Sequence, residues 1–347
     1  MNYLEFIKKC WENHRLLSLM FELTFACQFK CPFCYNEKQK NGKRLNLEKY
    51  KEILEDGKKE GALYLTLTGG EPTLSKIFFP LCKIANNLNY SIRIKSNGYN
   101  WDSSFVKRLK EEVSPYNVDL SIHGAKDETF DKITGINGSF KSFLKTIENL
   151  KKENIRIVFK FPVNSINEEE IEDVFALSKK LNIKIEPFAD LAPKDDGSID
   201  PIKYSPSKEG IKKMYENLIN ENGRKRDDFF SEEETDNLNI DSDFVCGAGI
   251  SSLTIDPFGN VYPCVAWRRV IGNLWKKSLK EIWHSKEAEK IIKVNKRAMK
   301  RKRVLKILKG EFFCLGRAEV QYKNPLTIYP DCLKVAIIRK KVLKNFT

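Results

Sequence analysis

No apolar run in this chain is long enough to span a bilayer. The longest, Leu16 to Cys27, is interrupted by Glu22, whereas a spanning helix needs about 20 apolar residues. No secretory signal is visible either. Met1 to Asn13 mixes polar and aromatic residues and reads as a short amphipathic helix. The nine cysteines among 347 residues do not make the disulfide framework of a small secreted domain. Together these absences predict a reducing, cytoplasmic setting. A hydrophobic content of 41% excludes a disordered chain and allows a large core. The formal net charge of +14 is compatible with nucleic acid, an acidic peptide or an anionic surface as partner. Its plainer reading is composition, because Lys, Asn and Ile are abundant along the whole chain and most charge runs are solvated faces.

Three cysteines stand close together in Cys27-Gln28-Phe29-Lys30-Cys31-Pro32-Phe33-Cys34, a C-x3-C-x2-C spacing with no fourth cysteine before Cys82. Iron–sulfur cubanes usually take four thiolates. A cluster held by these three would leave one iron open to a small molecule, which suits chemistry at the cluster better than electron storage. A zinc site is the alternative, although zinc favours paired C-x2-C knuckles. About 35 residues on, Leu63 to Thr68 reads as a strand running into a Gly69-Gly70-Glu71-Pro72 turn. The glycines would let the backbone come close to a ligand.

The cysteine triplet and the following strand–Gly-Gly-Glu turn resemble the radical S-adenosylmethionine superfamily. The resemblance implies that Cys27, Cys31 and Cys34 bind a [4Fe–4S] cluster and that S-adenosylmethionine chelates its open iron. It also implies that Phe33 lies by the adenine and that Gly69, Gly70 and Glu71 meet the methionine amino group.

From residue 19 to about 190, strand-like and helix-like segments alternate. The strand-like runs are 19–24, 63–67, 91–95, 118–122, 155–161 and 183–187, with helical spacing at 47–59, 77–87, 105–112, 140–153 and 168–181. Repeated βα units of this length build a parallel sheet. The expected fold is therefore α/β, a partial (β/α)6 TIM-like barrel, which matches the barrel of the superfamily. Ligand-binding groups of such barrels sit at the C-terminal ends of the strands. That rule collects the cysteine loop, Gly69-Gly70-Glu71, Asn97, Ser121 and Lys160 at one mouth, with Asn97 and Ser121 expected at the cofactor and Lys160 at its carboxylate. His123 reads as a loop residue. Residues 193–243 break the pattern with loop-rich and highly charged sequence and are expected to be a linker or excursion between a barrel at 1–192 and a second unit at 244–347.

In that second unit, Leu253 to Tyr262 reads as a β-hairpin between Cys246 and Cys264. The segment resembles the start of the SPASM/twitch iron–sulfur extension, but the dense C-x2-C-x5-C-x3-C run of the full pattern is missing. Cys246, Cys264, Cys314 and Cys332 suffice for one auxiliary [4Fe–4S] cluster, with three ligands or a zinc site as alternatives. Cys10 and Cys82 are left as core thiols. The basic run 286–309 suits an acidic leader peptide or RNA phosphates, or is a solvated helix. Its few aromatics disfavour single-stranded RNA.

The resemblance implies reductive cleavage of S-adenosylmethionine to a 5′-deoxyadenosyl radical that abstracts hydrogen from a substrate. The runs Asp119 to Phe143 and Cys246-Gly247-Ala248-Gly249 resemble maturases of ribosomally made peptides. The expected outcome is a cross-link, thioether or epimerised centre in a precursor peptide, with modification of RNA or a nucleotide as the alternative. A one-electron reductant such as flavodoxin or ferredoxin is an implied partner. With no room before Cys27 for a leader-binding domain, a separate leader-peptide-binding protein, or a basic patch on this chain, is expected to bind the leader.

Overall fold

A computed structural model describes residues 2–36, 42–222, 244–304 and 313–345. Its backbone is one nine-stranded sheet in the order β6-β5-β4-β3-β2-β1-β7-β8-β9. The first six strands are β1 (Ser18–Glu22), β2 (Tyr64–Thr68), β3 (Ser91–Ser96), β4 (Asn117–Ser121), β5 (Ile157–Pro162) and β6 (Lys184–Phe188). All pair in parallel with their neighbours. Helices α2 (Leu47–Glu60), α3 (Phe78–Asn87), α4 (Ser103–Glu112), α5 (Asp127–Thr134), α6 (Ser139–Lys152) and α7 (Ile171–Leu181) connect them, and α1 (Tyr3–Glu12) precedes them. This is the expected partial (β/α)6 architecture, with one helix, α5, beyond the expected set.

Local chemistry fixes the helix ends. Asn46 accepts a hydrogen bond from the Lys49 amide at the start of α2, and Gly61 closes that helix in the left-handed region at φ 105°. Asp102 caps α4 through the Phe105 amide. Asn2 and Glu5 form a reciprocal capping box on α1.

Strand alternation sorts the side chains. Leu19, Phe21, Leu65, Leu67, Ile92, Ile94, Val118, Leu120, Phe159 and Ile185 join the helices in one buried apolar cluster. The intervening positions are mostly polar, among them Glu22, Thr66, Thr68, Arg93, Lys95, Asn117, Asp119, Ser121, Lys160 and Glu186, with Met20, Tyr64 and Val158 among the exceptions. One face of the sheet therefore packs on helices while the other is lined by charged and hydrogen-bonding groups.

The second unit does not start a new sheet. β7 (Ser252–Ile255) pairs in parallel with β1, Ser18 opposite Ser252, and β8 (Asn260–Tyr262) and β9 (Gly272–Asn273) follow antiparallel. The hairpin expected between Cys246 and Cys264 is present, but it extends the barrel sheet, so the expected boundary at 243/244 is not a break in the sheet. Asp256 sets its turn by accepting from the amides of Phe258 and Asn260, each at 2.9 Å, and from the Tyr262 hydroxyl at 3.0 Å.

Helices α8 (Lys208–Asn222), α9 (Leu279–Trp283), α10 (Lys286–Val304), α11 (Leu315–Tyr322) and α12 (Pro330–Asn345) complete the fold. The excursion at 193–243 thus contributes a helix, α8, whose Ile219 packs with Val342 and Leu343 of α12. Its charged run from Arg224 to Asp243 lies outside the described residues, as does the basic run beyond 304. No helix among the described residues is long and apolar enough to cross a membrane.

Candidate metal and cofactor site

The cysteine loop leaves β1 and is held against the turn that leaves β2. The Gly70 amide donates to the Thr24 carbonyl at 2.7 Å and the Glu71 amide to the Ala26 carbonyl at 2.8 Å. A Cβ on Gly69 would stand 2.2 Å from the Thr24 oxygen, and one on Gly70 2.2 Å from the Ala26 oxygen. The glycines have a structural reason beyond the expected approach to a ligand. The close approach they permit is to the cysteine loop itself, so the two turns dock backbone to backbone. On the far side of the loop, the Lys30 amide donates to the Thr134 carbonyl at 2.8 Å.

Glu71 is fully buried. Its carboxylate accepts from the Ser96 hydroxyl at 2.9 Å, the Asn97 amide at 2.9 Å, and the Thr73 amide and hydroxyl at 3.2 and 2.7 Å. Burial pushes its pKa up, and these donors pull it back. The side chain ties the β2 and β3 turns together, so a ligand would meet this segment through its backbone rather than through the Glu71 carboxylate.

Asn97 turns toward the cysteines. Its Nδ2 lies 3.6 Å from the Cys27 Sγ, while its Oδ1 accepts from the Tyr99 amide at 2.9 Å and from Gln28 at 3.4 Å. Ser121 ends β4 opposite Lys160. Lys160 has acidic partners, contacting Glu186 directly and lying 3.8 Å from Asp119. To reach a cofactor carboxylate it would have to leave Glu186.

His123 is not a peripheral loop residue. It is 4% exposed, its Nε2 lies 4.0 Å from the Cys31 Sγ, and its ring packs on Phe33 with centroids 5.8 Å apart. Burial pushes its pKa down to about 4. Phe33 is buried with Ile133 and Leu191 beside Cys31.

In the second cysteine set, the Cys314 thiol lies within electrostatic reach of those of Cys264 and Cys246. Burial and the neighbouring Cys264 and Cys246 raise the Cys314 thiol pKa, and Tyr329 lies within the electrostatic reach of both Cys314 and Cys332. Cys314 caps α11, its sulfur 3.4 Å from the Arg317 amide. Asn295 of α10 holds the Cys246 segment, donating to the Cys246 carbonyl at 3.0 Å and accepting from the Val245 amide at 2.6 Å. Cys10 and Cys82 are buried in apolar clusters, matching their assignment as core thiols.

Two buried arginines, missed in the sequence, connect the cysteine groups. Arg268 donates to both oxygens of Glu22 at 2.7 Å and through Nε to Asp195 at 2.7 Å. Burial opposes its charge, but Glu22 and Asp195 outweigh that and hold its pKa above the ordinary value. Arg317, 2% exposed, contacts Asp190 just past β6 and Asp331 beside Cys332. Tyr329 donates to Asp190 at 2.9 Å. Nothing in the local sequence marks Glu22 as the partner of an arginine 246 positions away.

Both thiol groups suit clusters. Among the described residues no three Cys, His, Asp or Glu side chains close on a point as they would around a single ion. Around the N-terminal triplet, buried Gln28 Oε1, Asn36 Oδ1 and His123 Nδ1 have no hydrogen-bond partner among the described residues, which leaves polar atoms for a bound group to satisfy.

Comparison with known proteins agrees with this geometry. Residues 21–177 match the radical SAM superfamily and residues 246–307 the SPASM iron–sulfur cluster-binding domain. The sporulation killing factor maturation protein SkfB of Bacillus subtilis is 32% identical over 164 residues, 47% of this chain but only 40% of SkfB. Fe-coproporphyrin III synthase of Methanosarcina barkeri is 25% identical over 357 residues, 90% of this chain and 87% of that protein. The crystal structure of Streptococcus suis SuiB bound to its precursor peptide SuiA superposes with a TM-score of 0.63 at 17% identity, covering 83% of this chain and 70% of SuiB. The first matched domain binds a [4Fe–4S] cluster and S-adenosylmethionine, and the second binds auxiliary iron–sulfur clusters. The chain carries a radical SAM domain and a SPASM iron–sulfur cluster-binding domain.

Proposed function

We propose that this chain is a radical SAM enzyme that removes hydrogen from a ribosomally made peptide and so installs a cross-link, a thioether or an epimerised centre. The observation that carries the reading is the convergence of Cys27, Cys31 and Cys34 with the Gly70, Asn97 and His123 turns at one mouth of the sheet. The four-cysteine group is tied to the same mouth through Arg268 and Arg317. When bound, the N-terminal cluster and S-adenosylmethionine supply a 5′-deoxyadenosyl radical. Cys27, Cys31 and Cys34 would hold that cluster, and Cys246, Cys264, Cys314 and Cys332 an auxiliary one. Asn97 and Ser121 line the cofactor side, and Phe33 shields it from water. The polar face of the sheet offers the substrate its room. Half-buried Lys95 stands on that face in register with Asp119, its side chain without a hydrogen-bond or ion-pair partner among the described residues, and suits a carboxylate on the substrate. The likeness to SkfB, a maturation protein by name, supports a peptide substrate. A one-electron reductant such as flavodoxin or ferredoxin and a separate leader-binding protein belong to this proposal.

A second reading is a carboxylate-bearing tetrapyrrole as substrate. It is favoured by the end-to-end alignment with Fe-coproporphyrin III synthase, and Lys95 would serve it equally well. The deciding experiment incubates the anaerobically reconstituted protein with S-adenosylmethionine and dithionite. Substrate-stimulated formation of 5′-deoxyadenosine is then measured with peptides encoded beside the gene and with carboxylate-bearing iron tetrapyrroles from which Fe-coproporphyrin III could form. A mass loss of two hydrogens, or deuterium uptake at an α-carbon, in the peptide alone supports the first reading. Conversion of the tetrapyrrole alone, with Fe-coproporphyrin III formed, overturns it in favour of the second, and no 5′-deoxyadenosine at all overturns both.

A further inference from the structure

We propose that His123 is a hydrogen-bond donor to the sulfur of Cys31 and, with Asn97 on Cys27, raises the reduction potential of the N-terminal cluster. Two of the three cysteines of the triplet thus have a side-chain donor from a neighbouring strand end. Asn97 Nδ2 stands 3.6 Å from Cys27 Sγ, and His123 Nε2 stands 4.0 Å from Cys31 Sγ. Neither donor can swing freely. The Asn97 amide is oriented by its Oδ1, which accepts from Tyr99 and Gln28. The His123 ring is wedged between Phe33 and Phe130, with centroids 5.8 and 5.4 Å away.

The backbone around His123 is fastened as well. Its carbonyl accepts from Asn167 Nδ2 at 3.0 Å, and Glu170 accepts from the amides of Ala125 and Lys126 at 2.8 and 3.2 Å and from the Thr129 hydroxyl at 2.5 Å. When Cys31 ligates iron its sulfur can only accept, so a neutral imidazole places its proton on Nε2. The other nitrogen, Nδ1, is then an acceptor. It is buried and has no partner among the described residues, which leaves it able to accept from a donor outside them. A water or an N–H of the bound nucleoside has the required chemistry.

The physical consequence is electrostatic. Hydrogen bonds to cluster sulfurs favour the more negatively charged reduced state and raise the potential. His123 is a positioning residue here, since it acts through Cys31. The inference depends on the triplet holding a cluster but not on what the substrate is.

The test is a redox titration of the reconstituted full chain, followed by electron paramagnetic resonance on the component that S-adenosylmethionine perturbs. His123→Phe keeps the ring packing and removes both nitrogens. It should lower the reduced-to-oxidised ratio about tenfold at a fixed potential, a fall of about 59 mV for one electron. His123→Gln, which retains a donor, should recover much of the loss. The chain has three histidines, so labelling histidine with nitrogen-15 gives a second reading on the unaltered protein. A weak hyperfine coupling from one histidine to the reduced N-terminal cluster is expected, because His14 and His284 lie by Trp283 and Glu60 instead. An unchanged potential in His123→Phe at full iron content, or an equal fall in Phe and Gln variants, overturns the proposal. If His123→Phe takes up less iron, the labelled protein decides alone, and absence of the coupling overturns it. Failure of the triplet to bind iron in the wild type would instead sink the cluster assignment.

Discussion

Arg268 grips both carboxylate oxygens of Glu22 at 2.7 Å, and both side chains are nearly closed to solvent, at 8% and 1% exposure. Glu22 ends the first strand, five positions before Cys27, and Arg268 follows Cys264 by four. The pair therefore fixes the separation of the two cysteine groups. Removing one partner of a buried pair strands the other charge, a cost of about 3–5 kcal/mol. Arg268→Met should destabilise the protein by that order in denaturant unfolding. The Glu22→Gln/Arg268→Met double variant should recover part of the loss, though Asp195 keeps it from full recovery. An Arg268→Met protein that unfolds at the wild-type midpoint would show the pair to be idle.

Gly70→Ala places a methyl carbon 2.2 Å from the Ala26 carbonyl oxygen and 2.6 Å from the Phe25 oxygen. Both contacts are to backbone, which cannot rotate aside, so the cysteine loop must move. The variant should still fold and keep its C-terminal cluster but lose about four irons per chain, the content of one cubane. Iron and sulfide analysis after anaerobic reconstitution measures this. Full iron content in Gly70→Ala would mean that the loop tolerates the shift.

What could be read in advance depended on distance along the chain. The six parallel strands carry alternating or continuous apolar runs, and their turns carry Gly, Asn and Pro, so β1 to β6 and their mouth were legible from local pattern. The hairpin before Cys264 was visible for the same reason. Its pairing with β1 was not, because a parallel partner more than 200 residues away leaves no periodic mark on either strand. α5 was hidden by its eight-residue length and by the glycine-rich turn that follows it. The largest omissions are buried charges. Arg268 and Arg317 look like any surface arginine until their carboxylates are brought in by the fold. His123 looked like a turn residue because the cysteine beside it is 92 positions away.

The four C-terminal cysteines should behave as one unit. Cys246→Ala, Cys264→Ala, Cys314→Ala or Cys332→Ala should each lower the iron content by up to about four and leave the signal perturbed by S-adenosylmethionine intact. Cys10→Ala and Cys82→Ala should leave the iron content unchanged, since both thiols are buried core groups, at 4% and 0% exposure. If Cys332→Ala retains all its iron, the auxiliary cluster has three protein ligands and an open site.

His14 supplies a pH-dependent latch between the N-terminal helix and the C-terminal half. Its ring stacks on Trp283 with centroids 4.0 Å apart, Nδ1 is 3.2 Å from the Ile250 carbonyl and Nε2 is 3.5 Å from that of Trp283. Burial is the largest influence and lowers its pKa, although the two carbonyls oppose it. A histidine whose folded pKa lies below its unfolded value of about 6.5 takes up more protons when unfolded. Its contribution to stability is therefore complete above about pH 6.5 and is lost as the pH falls through the lower folded value. Thermal unfolding of the wild type should weaken over this interval more steeply than that of His14→Phe, which keeps the stacking and removes the titration. Parallel pH profiles for the two proteins would mean that the acid sensitivity comes from other groups.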